Sequence, residues 1–268
     1  ITVAAWKTID MDRPNMAVLK QIDVLGVVLI ALFLGPLVFI LEEGPREDWF
    51  NSSTISVMAV ISVVSGILLV WRELSAAHPV VDIRAFGDRN FLIGCLLSFG
   101  LGIAIYGSIY LLPGILSTVR GFNSLQIGIM MIVIGAFQFI SGPIAGQLEK
   151  RMDPRLMMAL GLLMYVAAFW LYSNMTAEAG FAQLFLPQML HGMAIVISFL
   201  PITAIALGTL PPSEIQNASG LYNLMRNLGG AIGLAAINTI IAGRYDLHRD
   251  RLGETITVAR IPVSEAIG

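Results

Sequence analysis

The 268 residues are 56% hydrophobic and 13% charged, with a mean hydropathy of +0.80 and a formal net charge of -2. A soluble domain carries about 25% charged residues, so the composition excludes a soluble globular enzyme and describes an all-α, polytopic transmembrane helical bundle. The net charge says nothing about nucleic acid and no basic run is long enough to suggest it as a partner, and the single cysteine, Cys95, excludes an intrachain disulfide and a cysteine metal cluster.

Residues 1 to 23 carry Lys7, Arg13 and Lys20 and no long apolar run. They suit a cytoplasmic linker in what is expected to be a piece of a longer protein, since the chain opens at Ile1 without a signal-peptide pattern. Val24 to Leu41 is the first predicted span, about 27 Å long by helical rise. Glu42 to Asn51 is acidic and ends on Trp49 and Phe50, placed as interfacial aromatics. Ile55 to Trp71 is the second span. The loop from 72 to 90, with Arg72, Arg84, Arg89 and the extended phrase His78-Pro79-Val80-Val81-Asp82, reads as a cytoplasmic connection between two subdomains.

Phe91 to Val119 is longer than a straight span requires, and Pro113 predicts a tilt, or a kink with an end near that residue. Leu125 to Leu148 is the fourth span and bears Gln138. A tight basic loop follows from Glu149 to Arg155. Leu156 to Tyr172 is the fifth and plainest span. Phe181 to Leu210 is again overlong, interrupted by Pro187 and Pro201, and carries Gln188 and His191 one turn apart.

The seventh span, Ser213 to Ala242, is the most informative. Ser213 and Gln216 have the spacing of a capping box. Further on, Asn223, Arg226, Asn227 and Gly230 recur at three- and four-residue steps and share one polar face. An arginine at a helix centre costs about 2.5 to 3.5 kcal/mol on insertion scales, so Arg226 is expected to face protein or a water-filled cavity. Gly229 and Gly233 form a Gly-x-x-x-Gly that lets a neighbouring helix approach. The tail from 243 to 268 reads as a polar loop.

The basic residues of the linker, the second loop and the Lys150, Arg151 and Arg155 loop fall on one side, which is therefore cytoplasmic. Arg244, Arg249, Arg251 and Arg260 in the tail run against this count and are offset by Asp246, Asp250 and Glu254. Every Asp and Glu lies in a loop or at a span edge, which leaves His191 as the only embedded side chain that titrates near neutral pH. No P-loop, His-Glu-x-x-His or nucleophile with a nearby His and carboxylate is present, so no catalytic residue, metal site or cofactor is assigned.

The phrase Gly142-Pro143-Ile144-Ala145-Gly146-Gln147-Leu148 followed by Arg151-Met152-Asp153-Pro154-Arg155 resembles the short basic loop between consecutive helices of the major facilitator superfamily. Leu207 to Glu214, Ala218 to Asn223 and Arg226 to Gly233 are similar to the penultimate helix of its EmrB/QacA drug:proton antiporters, and Asp23 to Gly26, Asp48 to Phe50 and Arg89 to Phe91 to their seventh to ninth spans. The resemblance implies a fourteen-span protein, of which this chain holds two accessory helices (24 to 71) and five helices of the carboxy-terminal half (91 to 242), with the last span absent. It also implies coupling carboxylates in the other half. Four positions depart from the pattern: Ser117, Val133, Lys150 and His191 stand where the family commonly has glutamine, proline, an acidic residue and arginine.

The resemblance implies proton-coupled multidrug efflux by alternating access, driven by the proton gradient, in the bacterial cytoplasmic membrane. The implied partners are the lipid bilayer, a small hydrophobic substrate, the other half of the protein, a periplasmic adaptor and an outer-membrane channel. The substrate cavity is assigned to Arg226, Asn223, Asn227, Gln138, Gln188, His191, Tyr106 and Tyr110. For Arg226 the alternative is an arginine bonded to backbone carbonyls, for the amides interhelical glue, and for the tyrosines plain aromatic packing. The cytoplasmic gate loop is assigned to Gly146, Lys150, Arg151, Asp153 and Arg155, with a positive-inside signal as the alternative. A metabolite-specific facilitator and a non-transporting membrane scaffold remain the competing functions.

Overall fold

The computed structural model describes residues 23–45, 47, 49–75, 83–176 and 179–255, without the side chains of Ser213 and residues 252–255. The linker before Asp23, Arg46, Asp48, the phrase His78 to Asp82 and the tail from 256 lie outside the described residues. Among the described residues, seven helices are long and apolar enough to cross a membrane. They are α1 (Val24–Glu43), α2 (Ser53–Ser75), α3 (Arg89–Thr118), α4 (Ser124–Glu149), α5 (Pro154–Ser173), α6 (Phe181–Leu207) and α7 (Pro212–Thr255). Short 3₁₀ turns at Trp49–Asn51 and Ile83–Gly87 join the first three.

Short polar side chains start most of these helices by satisfying amides that have no partner within the helix. The carboxylates of Asp23, Asp88 and Asp153 accept from the amides of Gly26, Phe91 and Arg155 at 3.0, 2.8 and 2.7 Å. Asn123 and Gln126 make a reciprocal capping box at the start of α4. Between α3 and α4 the chain reverses through Gly121 at φ 63°, a left-handed conformation that glycine adopts without a Cβ clash, and the Phe122 amide returns to the Leu116 carbonyl.

Three predicted boundaries differ. α3 does not end near Pro113 but continues to Thr118, and α6 runs unbroken through Pro187 and Pro201. Each proline removes one backbone hydrogen bond, yet both α6 prolines are buried against neighbouring helices, which hold the helix together. The third difference is α7, which begins at Pro212 and extends past Ala242 to Thr255, where a polar loop was expected. Its start at Pro212 places Ser213 inside the first turn rather than at the cap.

α3 and α6 form the centre of the bundle. α7 packs along α3, α4 and α5 pack along α6, and the α1–α2 hairpin meets the rest through α1 and α7. Small residues allow these crossings. A side chain at Gly192 would meet the Ile134 carbonyl of α4, one at Gly161 would meet Ser198, and one at Gly94 would meet Ala206. The outward faces stay apolar, with Phe139 84% and Leu163 66% exposed, as a lipid-facing surface requires.

The hairpin is clasped at the end that holds the start of α1 and the last turn of α2. Arg72 Nε donates to Asp23 Oδ2 at 3.1 Å and its Nη2 to Oδ1 at 3.3 Å, while Ser62 Oγ donates to the Phe33 carbonyl at 2.9 Å halfway along. The Gly26 amide first, and then Arg72, hold the Asp23 carboxyl below the usual carboxylate range. A lowered folded value stabilises the protein above the unfolded value of about 3.9, and that contribution is lost as pH falls through the folded one. The thermal midpoint of the wild-type chain is therefore expected to drop further than that of Asp23→Asn when both are moved from neutral to strongly acidic pH. Equal drops would remove the clasp from the account.

Candidate functional site

The polar face of α7 is partly open: α3 covers Gly230 through Tyr106, and the rest of the face stays accessible. Asn223 and Asn227 are exposed and Arg226 is half-buried. Arg226 Nη2 donates to Asn223 Oδ1 at 2.6 Å, and its guanidinium lies 5.0 Å from the centre of the Phe199 ring on α6. Asn223 Nδ2 in turn donates to the Ser219 carbonyl at 3.0 Å, which holds the amide oxygen toward the arginine. Among the described residues its hydrogen bond runs to the Asn223 side chain rather than to a backbone carbonyl. A guanidinium has five N–H donors, and most of these remain available to an anionic or carbonyl group.

The same helix is set close to α3. Tyr106 hydroxyl donates to Asn227 Oδ1 at 3.1 Å, so one of the two predicted tyrosines belongs to the polar face. Gly229 and Gly233 turn to α3, where added side chains would meet the Phe99 carbonyl and Ile103. The Gly-x-x-x-Gly therefore acts as the sequence indicated, on the side adjoining the arginine. Tyr110, one turn beyond Tyr106, points to a separate pocket near the end of α1. Gln138 is exposed on α4, and its backbone amide lies beside Gly192 of α6.

Gln188 and His191 occupy a different place from Arg226. Both are buried, at 1% and 0% exposure, in the bundle interior. His191 Nε2 is 3.1 Å from Ser108 Oγ of α3, and the rings of Tyr165, Phe169 and Tyr172 from α5 surround the imidazole at 5.5 to 6.3 Å. Neither amide atom of Gln188, nor His191 Nδ1, nor the hydroxyls of Tyr165 and Tyr172 hydrogen-bond to another described residue. Ser108 and Tyr172 also line an apolar cavity of about 470 Å³ between α3, α5 and α6, in the size range of small-molecule sites.

This polar node includes residues that the sequence reading passed over. α5 is the plainest span in sequence, yet Tyr165, Phe169 and Tyr172 recur at four- and three-residue steps and so share a face. That spacing is a visible signal. Ser108 had none, because a lone serine in an apolar helix is ordinarily bonded to its own backbone, as Ser108 also is through the Ile105 carbonyl at 2.9 Å.

The α4–α5 loop, the expected gate loop, is short. Lys150, Arg151, Asp153 and Arg155 are exposed, and Gly146 is partly buried one turn earlier. Asp153 caps α5, while the three basic side chains make no ion pair among the described residues. The α6–α7 loop is tied differently. Thr209 Oγ1 donates to Asp88 Oδ1 at 3.0 Å, and the Phe91 amide followed by Thr209 lower the Asp88 carboxyl.

Residues 23–234, covering six of these helices and about half of α7, match the sequence profile of the Major Facilitator Superfamily. The chain belongs to this superfamily. Among its relatives, the colistin resistance protein EmrB of Acinetobacter baumannii is 33% identical over 248 residues, covering 92% of this chain and 48% of that protein. The multidrug export protein EmrB of Escherichia coli K12 is 33% identical over 239 residues, 88% of this chain and 46% of that one. The fatty acid resistance protein FarB of Neisseria gonorrhoeae is 30% identical over 254 residues, 94% and 50% respectively. This facilitator chain is a multi-pass membrane protein, with seven membrane-length helices among the described residues, and spans about half the length of the relatives it matches.

Proposed function

We propose that the chain is the carboxy-terminal part of a secondary active exporter that expels hydrophobic or amphipathic compounds in exchange for protons. The observation that carries this reading is the partly open polar face of α7, where Arg226, Asn223 and Asn227 stand beside Tyr106 and Phe199. A charge at membrane depth is costly and is kept where it meets substrate or a water-filled path. Support comes also from the relatives, whose names speak of multidrug export and of resistance to colistin and to fatty acids.

In this reading α3, α4, α6 and α7 present the cavity to the other half of the protein, and α5 stands behind them. The two halves rock about a midplane site. Arg226 orients an anionic or carbonyl group of the substrate and the aromatic rings hold its apolar body. His191, in its aromatic surround, is a candidate proton carrier besides carboxylates of the other half. The protein works in the bacterial inner membrane, with a periplasmic adaptor and an outer-membrane channel as partners, and no enzymatic step is involved.

The test is transport by the full-length protein in inverted vesicles from a host stripped of its own exporters. Uptake of a fluorescent amphipathic dye is expected when a proton gradient is imposed, and it should stop on adding an uncoupler. Dye uptake equal to that of empty vesicles, or uptake indifferent to the gradient, would overturn the reading.

A further inference from the structure

The α3–α5–α6 cavity has an apolar throat and a polar floor. Its mouth is formed by Val119, Arg120 and Thr176, at the end of the bundle where α3 stops and α6 begins. Its floor is formed by Ser108, Phe169 and Tyr172, which pack on His191. Val119 and Ser108 lie three turns apart on α3, about 16 Å at 1.5 Å per residue, so the floor is deep in the span. Leu112, Ile115, Leu116 and Leu184 wall the space between. Among the described residues Arg120, at the mouth, is the one charged side chain that lines it.

Behind the floor, the proton on His191 can be placed. Ser108 has one hydroxyl proton and donates it to the Ile105 carbonyl at 2.9 Å, so from His191, 3.1 Å away, it accepts. Nε2 therefore carries the proton, and in a neutral imidazole Nδ1 is left as an acceptor. Among the described residues Nδ1 meets no donor, and the Gln188 amide and the Tyr165 hydroxyl meet no partner either. Gln188, His191 and Tyr165 are 1%, 0% and 4% exposed, each more than nine-tenths buried. A buried polar atom left bare costs far more than one bonded to an internal water, and such a water typically makes about three bonds to groups of this kind. Leu184, Gln188 and His191 follow at four- and three-residue steps, so one face of α6 leads from the cavity wall to the imidazole.

We infer that ordered water binds in the bundle interior between Gln188, His191 and Tyr165, and that it exchanges with bulk solvent through the α3–α5–α6 cavity. One molecule donates to His191 Nδ1, and its neighbours bond the Gln188 amide and the Tyr165 hydroxyl. The side chains that face the imidazole are Ser108 from α3 and Tyr165, Phe169 and Tyr172 from α5, none of them charged. α4 passes beside Gly192 with Ile134 and Gln138, which are uncharged as well. The water site needs only residues of this chain and does not depend on transport. Its use as the route by which a proton reaches His191, from the end opposite the α4–α5 loop, rests on the exporter reading above.

The test is a millisecond X-ray pulse on the full-length protein in nanodiscs. The pulse splits water into hydroxyl radicals that oxidise the side chains next to it, and mass spectrometry locates the products. Tyr165 and Tyr222 are compared, since they are 4% and 2% exposed but the Tyr222 hydroxyl is bonded to Thr203 at 3.0 Å and that of Tyr165 to no described residue. Tyr165 is expected to be oxidised severalfold faster than Tyr222, a comparison within wild type that needs no variant to fold. Gln188→Leu should lower the Tyr165 rate severalfold and leave that of Tyr222 unchanged. Mixing with heavy-oxygen water just before the pulse reads the exchange. Ile115→Trp, which narrows the cavity from its exposed wall, should delay arrival of the heavy isotope at Tyr165 severalfold without lowering total oxidation. Oxidation of Tyr165 no faster than that of Tyr222, or unchanged by Gln188→Leu, would overturn the bound water. Arrival as fast in Ile115→Trp as in wild type would overturn the cavity as its route. A protein that shows the water and moves no dye would sink the exporter reading and leave the water site standing.

Discussion

Valine at position 102 or at position 229 is expected to destroy the folded protein, each by about 3 kcal/mol or more. Gly102 sits where α3 crosses α7, and a Cβ there would collide with the carbonyl oxygen of Arg226. Gly229 repeats the arrangement from the other side, against the carbonyl of Phe99. Both obstacles are backbone, which cannot rotate aside as the end of a side chain can. The helices would have to separate, and the Tyr106–Asn227 hydrogen bond, with the packing of Gly233 on Ile103, would go with them. Gly100→Val is the control, because nothing lies within 4 Å of the Cβ it would add. Recovery of monodisperse protein in mild detergent, and its thermal midpoint, measure the difference. Gly102→Val behaving like Gly100→Val would mean that α3 and α7 do not cross here.

Arg226→Ala, made in the full-length protein, is expected to leave abundance near wild type and to cut dye efflux by about ten- to a hundredfold. That range is what losing one charged hydrogen bond of about 1.5 to 3 kcal/mol would give. Abundance should hold because the partners left behind are an exposed amide and a ring face, neither of which becomes a buried unpaired group. Arg226→Lys should recover little, since an ammonium keeps the charge but not the planar group that stacks on Phe199. Efflux at the wild-type level in the alanine variant would return Arg226 to a purely structural role.

The seven spans were legible because apolar length alone identifies a transmembrane helix. The crossing at Gly229 and Gly233 was legible for a related reason, that few other residues let two helices come so close. Helix ends were less so. Polar residues after Ala242 mark where the bilayer ends, but arginine and leucine are good helix formers, and together they carry the helix on into water past the weaker aspartates. Pro113, Pro187 and Pro201 suggested breaks that packing overrides. For the site, periodicity put Asn223 and Arg226 on one face and Gln188 with His191 on another, yet it does not say which face a neighbour covers. Only the placement of α5 beside α6 distinguishes the buried pair from the open one.

α7 is 44 residues long, about 66 Å at 1.5 Å per residue, against a hydrocarbon layer of about 30 Å. It is bonded along its length as a single rod, and its inner portion is gripped by α3. Such a rod is a lever. A small rotation at the α3–α7 crossing, which lies beside Arg226, sweeps the outer end through a distance proportional to its reach. The mixed charges of Arg244, Asp246, Arg249, Asp250 and Arg251 travel with it. Whatever docks on that outer end would feel the state of the membrane-buried site as torque, and would push back on it in the same way.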